Sequence, residues 1–203
     1  MSGEILLSAS GLARDFNGKR VVKDIALTLR AGEVVGLLGP NGAGKSTTLK
    51  MLTGVLAPSC GTITVCGTNL EQQPKIAKRH IGYLPEEAPV YIDLTVDEYL
   101  AYCASLKLIA RSSHPDVIEH AKQRCGLSDV GNRLIGTLSK GYRQRIGIDQ
   151  AIIHEPSVLV LDETTNGLDP NKIRDVRDLV RDLAAASRAL INSTHVFTEV
   201  QAL

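Results

Sequence analysis

Apolar and polar positions along this chain follow two different periods, and the change between them divides it. Ile5-Leu6-Leu7 predicts a short strand, and Ile25-Ala26-Leu27-Thr28-Leu29 alternates with period two, as a half-buried antiparallel strand does. Val34-Val35-Gly36-Leu37-Leu38 is a continuous apolar run, and Gly61-Thr62-Ile63-Thr64-Val65 and Ile81-Gly82-Tyr83-Leu84 predict two further strands. The period then becomes helical. Thr95-Val96-Asp97-Glu98 has the form of a capping box, and Tyr99, Leu100, Cys103 and Leu106 continue on one face. A second helix is expected from near Ser113, with Pro115 in its first turn and Val117, Ile118 and Ala121 on one side. Residues from about 90 to 138 therefore read as a helical insert in an otherwise α/β chain.

Beyond the insert, Val158-Leu159-Val160-Leu161 is the unbroken apolar run of a parallel strand covered on both faces, and it ends in Asp162-Glu163. After Asp169-Pro170, helical spacing returns through Ile173, Val176, Leu179, Val180 and Leu183 to about Ala186. A last strand, Ala189-Leu190-Ile191-Asn192, leads to Ser193-Thr194-His195.

The candidate chemistry lies where these elements meet. Gly39-Pro40-Asn41-Gly42-Ala43-Gly44-Lys45-Ser46 follows an apolar strand, opens a helix and fits G-x-x-x-x-G-K-[ST] without mismatch. Glycines 39, 42 and 44 let the backbone approach a polyphosphate, so that consecutive N–H groups can face the anion. Lys45 is expected to reach the β- and γ-phosphates, with Thr47 beside it, and Ser46 to ligate Mg²⁺. Asp162, leaving a dry strand, suits a hard cation and its water shell. Glu163 is then placed to orient an attacking water.

Composition narrows the partners. In 203 residues, 23 Lys+Arg stand against 22 Asp+Glu, so no general attraction to nucleic acid or anionic lipid follows. No stretch of about 18 apolar residues is present and the N-terminus lacks signal-peptide order, so a cytoplasmic protein is expected. Cys60, Cys66, Cys103 and Cys125 lack metal spacing and are expected to be reduced, semi-buried thiols. His80, His114, His120 and His154 are expected to be structural.

Further motifs resemble those of ATP-binding-cassette ATPases. Leu138-Ser139-Lys140-Gly141-Tyr142-Arg143-Gln144 resembles the family's signature, Asp162-Glu163 its Walker B motif, Asn166-Gly167-Leu168-Asp169 its D-loop and His195 its switch histidine. Phe16 stands in the place of the aromatic that stacks on adenine. The resemblance covers the whole chain. It implies an α/β fold with a P-loop NTPase core of the RecA-like kind, an N-terminal antiparallel β subdomain and an inserted α-helical subdomain. The whole is a single nucleotide-binding domain over residues 1–203. It also implies ATP and Mg²⁺ as cofactors, and a catalytic set of Glu163, His195 and Glu86. Ser139, Gly141 and Asp169 would face the nucleotide of a second subunit in an ATP-sandwich homodimer, or in a pair with another ABC subunit. The remaining implied partner is a membrane-spanning permease that would hold the protein on the inner face of the membrane, with no nucleic acid involved.

Three departures bear on subtype. Glu86 in Tyr83-Leu84-Pro85-Glu86 stands where glutamine is usual, as an acceptor that could contact Mg²⁺ or its water. Together with Leu94–Leu100, Lys140 and Tyr142 it resembles the ABC-2-type export ATPases, particularly the gliding-motility-like branch. Thr164 replaces the usual proline and removes a φ restraint beside Glu163, so binding is expected more firmly than full turnover. The chain stops eight residues after His195, where relatives continue, so a C-terminal truncation is expected. The rival readings are a soluble ABC ATPase acting on ribosomes or DNA, and a low-turnover nucleotide-dependent regulatory module.

Overall fold

The computed structural model describes residues 3–185 and 188–194. The alternating N-terminal segments form β1 (Ile5–Phe16) and β2 (Lys19–Arg30), both longer than the sequence pattern predicts. The extra length of β1 lies in Ser8-Ala9-Ser10-Gly11, whose small side chains hide the strand, and register shifts against β2 accommodate the irregular backbone. There follow β3 (Val34–Leu38), α1 (Lys45–Leu52), β4 (Cys60–Val65), β5 (Thr68–Asn69), α2 (Pro74–Ala77) and β6 (Ile81–Leu84). Then come α3 (Val96–Leu106), α4 (His114–Cys125), α5 (Lys140–Ile152), β7 (Val158–Asp162), α6 (Pro170–Ala185) and β8 (Ala189–Thr194). Two-residue β5 and single-turn α2 are too short for periodicity to reveal.

Two sheets result, an antiparallel one in the order β2-β1-β4-β5 and a parallel one in the order β3-β8-β7-β6. In the parallel sheet Leu38 pairs with Thr194, Asp162 with Ser193 and Leu84 with Leu161, so the carboxyl ends of all four strands finish at one edge. Ligands gather at that edge in open α/β sheets.

All five residues of β7 are buried because each face is covered. Val158 and Val160 pack with Leu49, Met51 and Leu52 of α1, whereas Leu159 and Leu161 pack with Ile146 and Ile148 of α5. On the neighbouring β6, Gly82 lets α5 approach the sheet: a Cβ there would stand 2.2 Å from the Ala151 carbonyl oxygen, closer than any side chain can come.

At the start of α3 the expected capping box is formed. The Thr95 N–H donates to Glu98 Oε2 at 2.8 Å and the Glu98 N–H to Thr95 Oγ1 at 3.3 Å. All four cysteines are free, but Cys60 is exposed rather than semi-buried, because it opens β4 on a solvent-facing position. His154 keeps its structural reading: burial above all pushes its pKa down to about 4, which leaves a neutral ring whose Nε2 lies 3.1 Å from the Ile81 carbonyl oxygen.

One buried group opposes the packing. Asp149 of α5 is fully buried, and neither carboxyl oxygen has a hydrogen-bond partner among the described residues. Burial first, and the Asp97 charge after it, raise its pKa well above the ordinary 3.8, although Lys122 and Arg124 pull the other way. Above about pH 4 the native protein keeps a proton that the unfolded chain releases, so the contribution of Asp149 to stability is lost as pH rises toward the raised value. Asp149→Ala is therefore expected to stabilise the fold by about 1–3 kcal/mol, the cost of an orphaned buried polar group. The gain should be larger at pH 8 than at pH 5. Thermal unfolding at the two pH values checks this, and equal gains would mean that the carboxyl binds no extra proton on folding.

Candidate active site

The loop between β3 and α1 is shaped by glycine. Gly44 precedes α1 with φ 90°, and a Cβ on it would come within 3.2 Å of the Val21 carbonyl oxygen and a Val22 methyl carbon. A residue with a side chain would be strained and crowded there. No side chain caps α1 among the described residues, so its first-turn amides and the positive end of its dipole are available to an anion.

Lys45 opens that helix and is only 8% exposed. Its Nζ donates to the carbonyl oxygens of Gly39 at 2.8 Å and Pro40 at 3.3 Å, and it pairs with Glu163 Oε1 at 3.3 Å. The loop is closed by the Ala43 N–H donating to the Pro40 carbonyl at 3.2 Å.

Asp162, at the end of β7, is 1% exposed. Its Oδ1 accepts from Ser46 Oγ at 3.2 Å and from Ser193 Oγ at 2.5 Å. Ser193 Oγ in turn accepts from the Glu163 N–H at 3.1 Å, and the Ser193 carbonyl accepts from the same N–H at 3.2 Å. These bonds hold Glu163 at φ 48°, a left-handed conformation uncommon for a residue with a side chain. Thr164, in place of proline, is 3% exposed and is fixed by burial. Beneath Asp162, burial chiefly, and the aspartate charge secondarily, push the Tyr83 hydroxyl up to about 12.

A cleft of about 430 Å³ joins these groups, lined by Asn41, Gly42, Gly44, Lys45, Ser46 and Thr47 on the loop side and by Val21, Glu86, Glu163 and Asn166 opposite. Asn166 Nδ2 donates to Glu86 Oε1 at 3.0 Å. The Ser46 hydroxyl and Asp162 carboxylate are hard oxygen donors suited to Mg²⁺. Among the described residues no group of three or more His, Cys, Asp or Glu is arranged for a metal, so water and phosphate oxygens would complete the shell, as usual for this ion.

Other sequence-derived candidates lie apart from the cleft. Phe16 is exposed and its ring lies under the Arg14 guanidinium at 4.7 Å, while Val21 takes the cleft wall. Ser139 caps α5, accepting from the Tyr142 N–H at 3.5 Å. Gly141 is buried, and a Cβ on it would lie 3.5 Å from the Lys172 side chain. The exposed Asp169 accepts from the Ile173 N–H at 2.9 Å through its carbonyl. His195 lies outside the described residues.

Sequence reasoning missed Ser193 and Asn166. The signal for Ser193 was a hydroxyl directly after an apolar run, at a strand end where water cannot satisfy it. For Asn166 there was only an amide inside an otherwise recognised turn.

Comparison with known proteins gives this geometry a family. Residues 22–166 match the family described as ABC transporter. NatA of Bacillus subtilis, an ABC transporter ATP-binding protein, is 38% identical over 98% of this chain and 82% of its own length. The Nod factor export ATP-binding protein I of Rhizobium johnstonii is 34% identical over 98% of this chain, which spans only 64% of that relative. The same shares hold for the linearmycin resistance ATP-binding protein LnrL of Bacillus subtilis, at 33% identity. A solved ATP binding subunit of an ABC transporter superimposes with a TM-score of 0.84 at 29% identity, covering 95% of this chain and 80% of that one. CbiO1 from Clostridium perfringens, part of the complex cbiONQ, does so with the same TM-score at 25% identity, covering 95% and 79%. The fold is thus shared with these solved structures, and the chain belongs to the ABC transporter family, as one of its ATP- and Mg²⁺-binding ATPases.

Proposed function

We propose that this chain is the ATPase subunit of an ABC-2-type exporter, hydrolysing Mg-ATP to drive a separate membrane-spanning permease. The observation that carries the reading is the convergence of Lys45, Ser46 and Glu163 on one cleft with Asp162 bonded behind Ser46, each of the four within 3.3 Å of another member. ABC ATP-binding subunits of transporters work with membrane permeases, and the relatives named for Nod factor export and linearmycin resistance favour export. No helix among the described residues is long and apolar enough to cross a membrane, so the transport path is assigned to the partner.

In this reading the amides of the loop and Lys45 hold the β- and γ-phosphates, and Ser46 and Asp162 hold Mg²⁺. The bound ion supplies neutralisation of the phosphate charge. Glu163 accepts a hydrogen bond from the attacking water and aims it at the γ-phosphorus, with Glu86 touching the water shell of the ion. Phe16 supports the adenine. Ser139, Gly141 and Asp169 meet the nucleotide of a second copy in an ATP sandwich, and His195 contacts the γ-phosphate. The chain acts as one nucleotide-binding domain, with residues of about 90–138 as its helical part, on the cytoplasmic face of the membrane.

Co-expression with a multi-helix membrane protein encoded beside it tests the assignment. The two should co-purify in detergent, and ATP turnover should rise in the complex. Recovery with ribosomes or DNA, at a rate unaffected by the membrane protein, would support the nucleic-acid alternative.

A further inference from the structure

Glu86 and Asn166 are 80 positions apart yet share a hydrogen bond of 3.0 Å. Both line the nucleotide cleft of about 430 Å³, and both line a second cleft of about 460 Å³ between the segment after β6 and the first turns of α5. The bonded pair is therefore a partition between two clefts. Asn166 is also tied at its other end, since its N–H donates to the Glu163 carbonyl at 3.1 Å. One residue thus fixes the position of Glu86 relative to Glu163.

We infer that Asn166 is a positioning residue whose side-chain amide aims the Glu86 carboxylate into the nucleotide cleft, an inference that rests on the reading of Glu86 as part of that site. The chemistry requires a donor at this position. A carboxylate at 86 only accepts, so the bond exists only if residue 166 donates; an aspartate there would oppose it with a second acceptor. Glu86 faces Lys45 and Glu163 across the nucleotide cleft, and Glu87, Lys140 and Arg143 around the second, so other charges act on it but, among the described residues, only Asn166 is bonded to its carboxylate.

Reversing the polarity of the bond is the test. Asn166→Asp places two carboxylates at the distance of the present bond, where both cannot ionise freely. Its kcat is expected to fall about tenfold or more at pH 8, the magnitude of one charge-assisted hydrogen bond, with partial recovery at pH 6, and KM for Mg-ATP should change less. The double substitution Glu86→Gln with Asn166→Asp lets the Gln amide donate to the new carboxylate. It should return kcat to within about twofold of Glu86→Gln alone and abolish the new pH dependence. If the double variant is no better than Asn166→Asp, or if Asn166→Asp follows the parent at both pH values, the inference is overturned. Should Asn166→Asp fail to fold, Asn166→Ala replaces it in a cycle with Glu86→Gln, where additive losses in kcat overturn the inference and non-additive ones support it. The underlying reading fails separately: Glu86→Gln would then leave both kcat and metal-free ATP affinity unchanged.

Discussion

Glu163→Gln is expected to lower kcat by about 10²–10⁴-fold while Mg-ATP affinity is kept or improved. The carboxylate is the proposed acceptor for the attacking water, and the amide that replaces it fills the same space without that basicity. Affinity should not suffer, because Lys45 spends part of its charge on Glu163 at 3.3 Å in a pair whose side chains are 7% and 10% exposed. Neutralising the partner removes an internal competitor for the phosphates. The substituted protein should therefore accumulate as an ATP-bound dimer, seen by light scattering in the presence of Mg-ATP. Turnover at the parental rate would transfer the water-orienting role to another residue.

Lys45→Ala should weaken ATP binding by about 10- to 100-fold, the value of a hydrogen bond to a charged group in a site largely closed to water. A second effect accompanies it. The Gly39 carbonyl loses its Lys45 donor, the Pro40 carbonyl loses one of two donors and Glu163 loses the Lys45 charge, so the loop should become less stable as well as less attractive to phosphate. Titration with a fluorescent ATP analogue gives the first quantity and thermal unfolding the second. Equal Kd values for the variant and the parent would end the assignment of the phosphate loop.

The parallel sheet was legible because β3, β7 and the start of β8 are continuous apolar runs, those of β7 and β8 fully buried, and helix α3 because Thr95 and Glu98 announce its start. Long-range partners were not legible. The phosphate loop is local, a strand, a turn and a helix within 19 residues from Val34 to Leu52, and its text states its structure. The bond from Asn166 to Glu86, or from Ser193 to Asp162, depends on which strand lies beside which, and no local pattern encodes strand order. The buried Asp149 shows the same limit: nothing in the text indicated that its carboxyl would be buried on α5 without a partner among the described residues.

Because α1 starts without a capping side chain, its first turn is completed by whatever anion it holds, and a phosphate group serves as the missing cap. Folding and loading are then one linked equilibrium. A nucleotide present at about one hundred times its Kd adds roughly 2.7 kcal/mol to the stability of the whole domain, a substantial part of the 5–15 kcal/mol typical of folded proteins. The lifetime of this chain against unfolding and proteolysis is accordingly set by the ATP concentration around it as well as by its sequence.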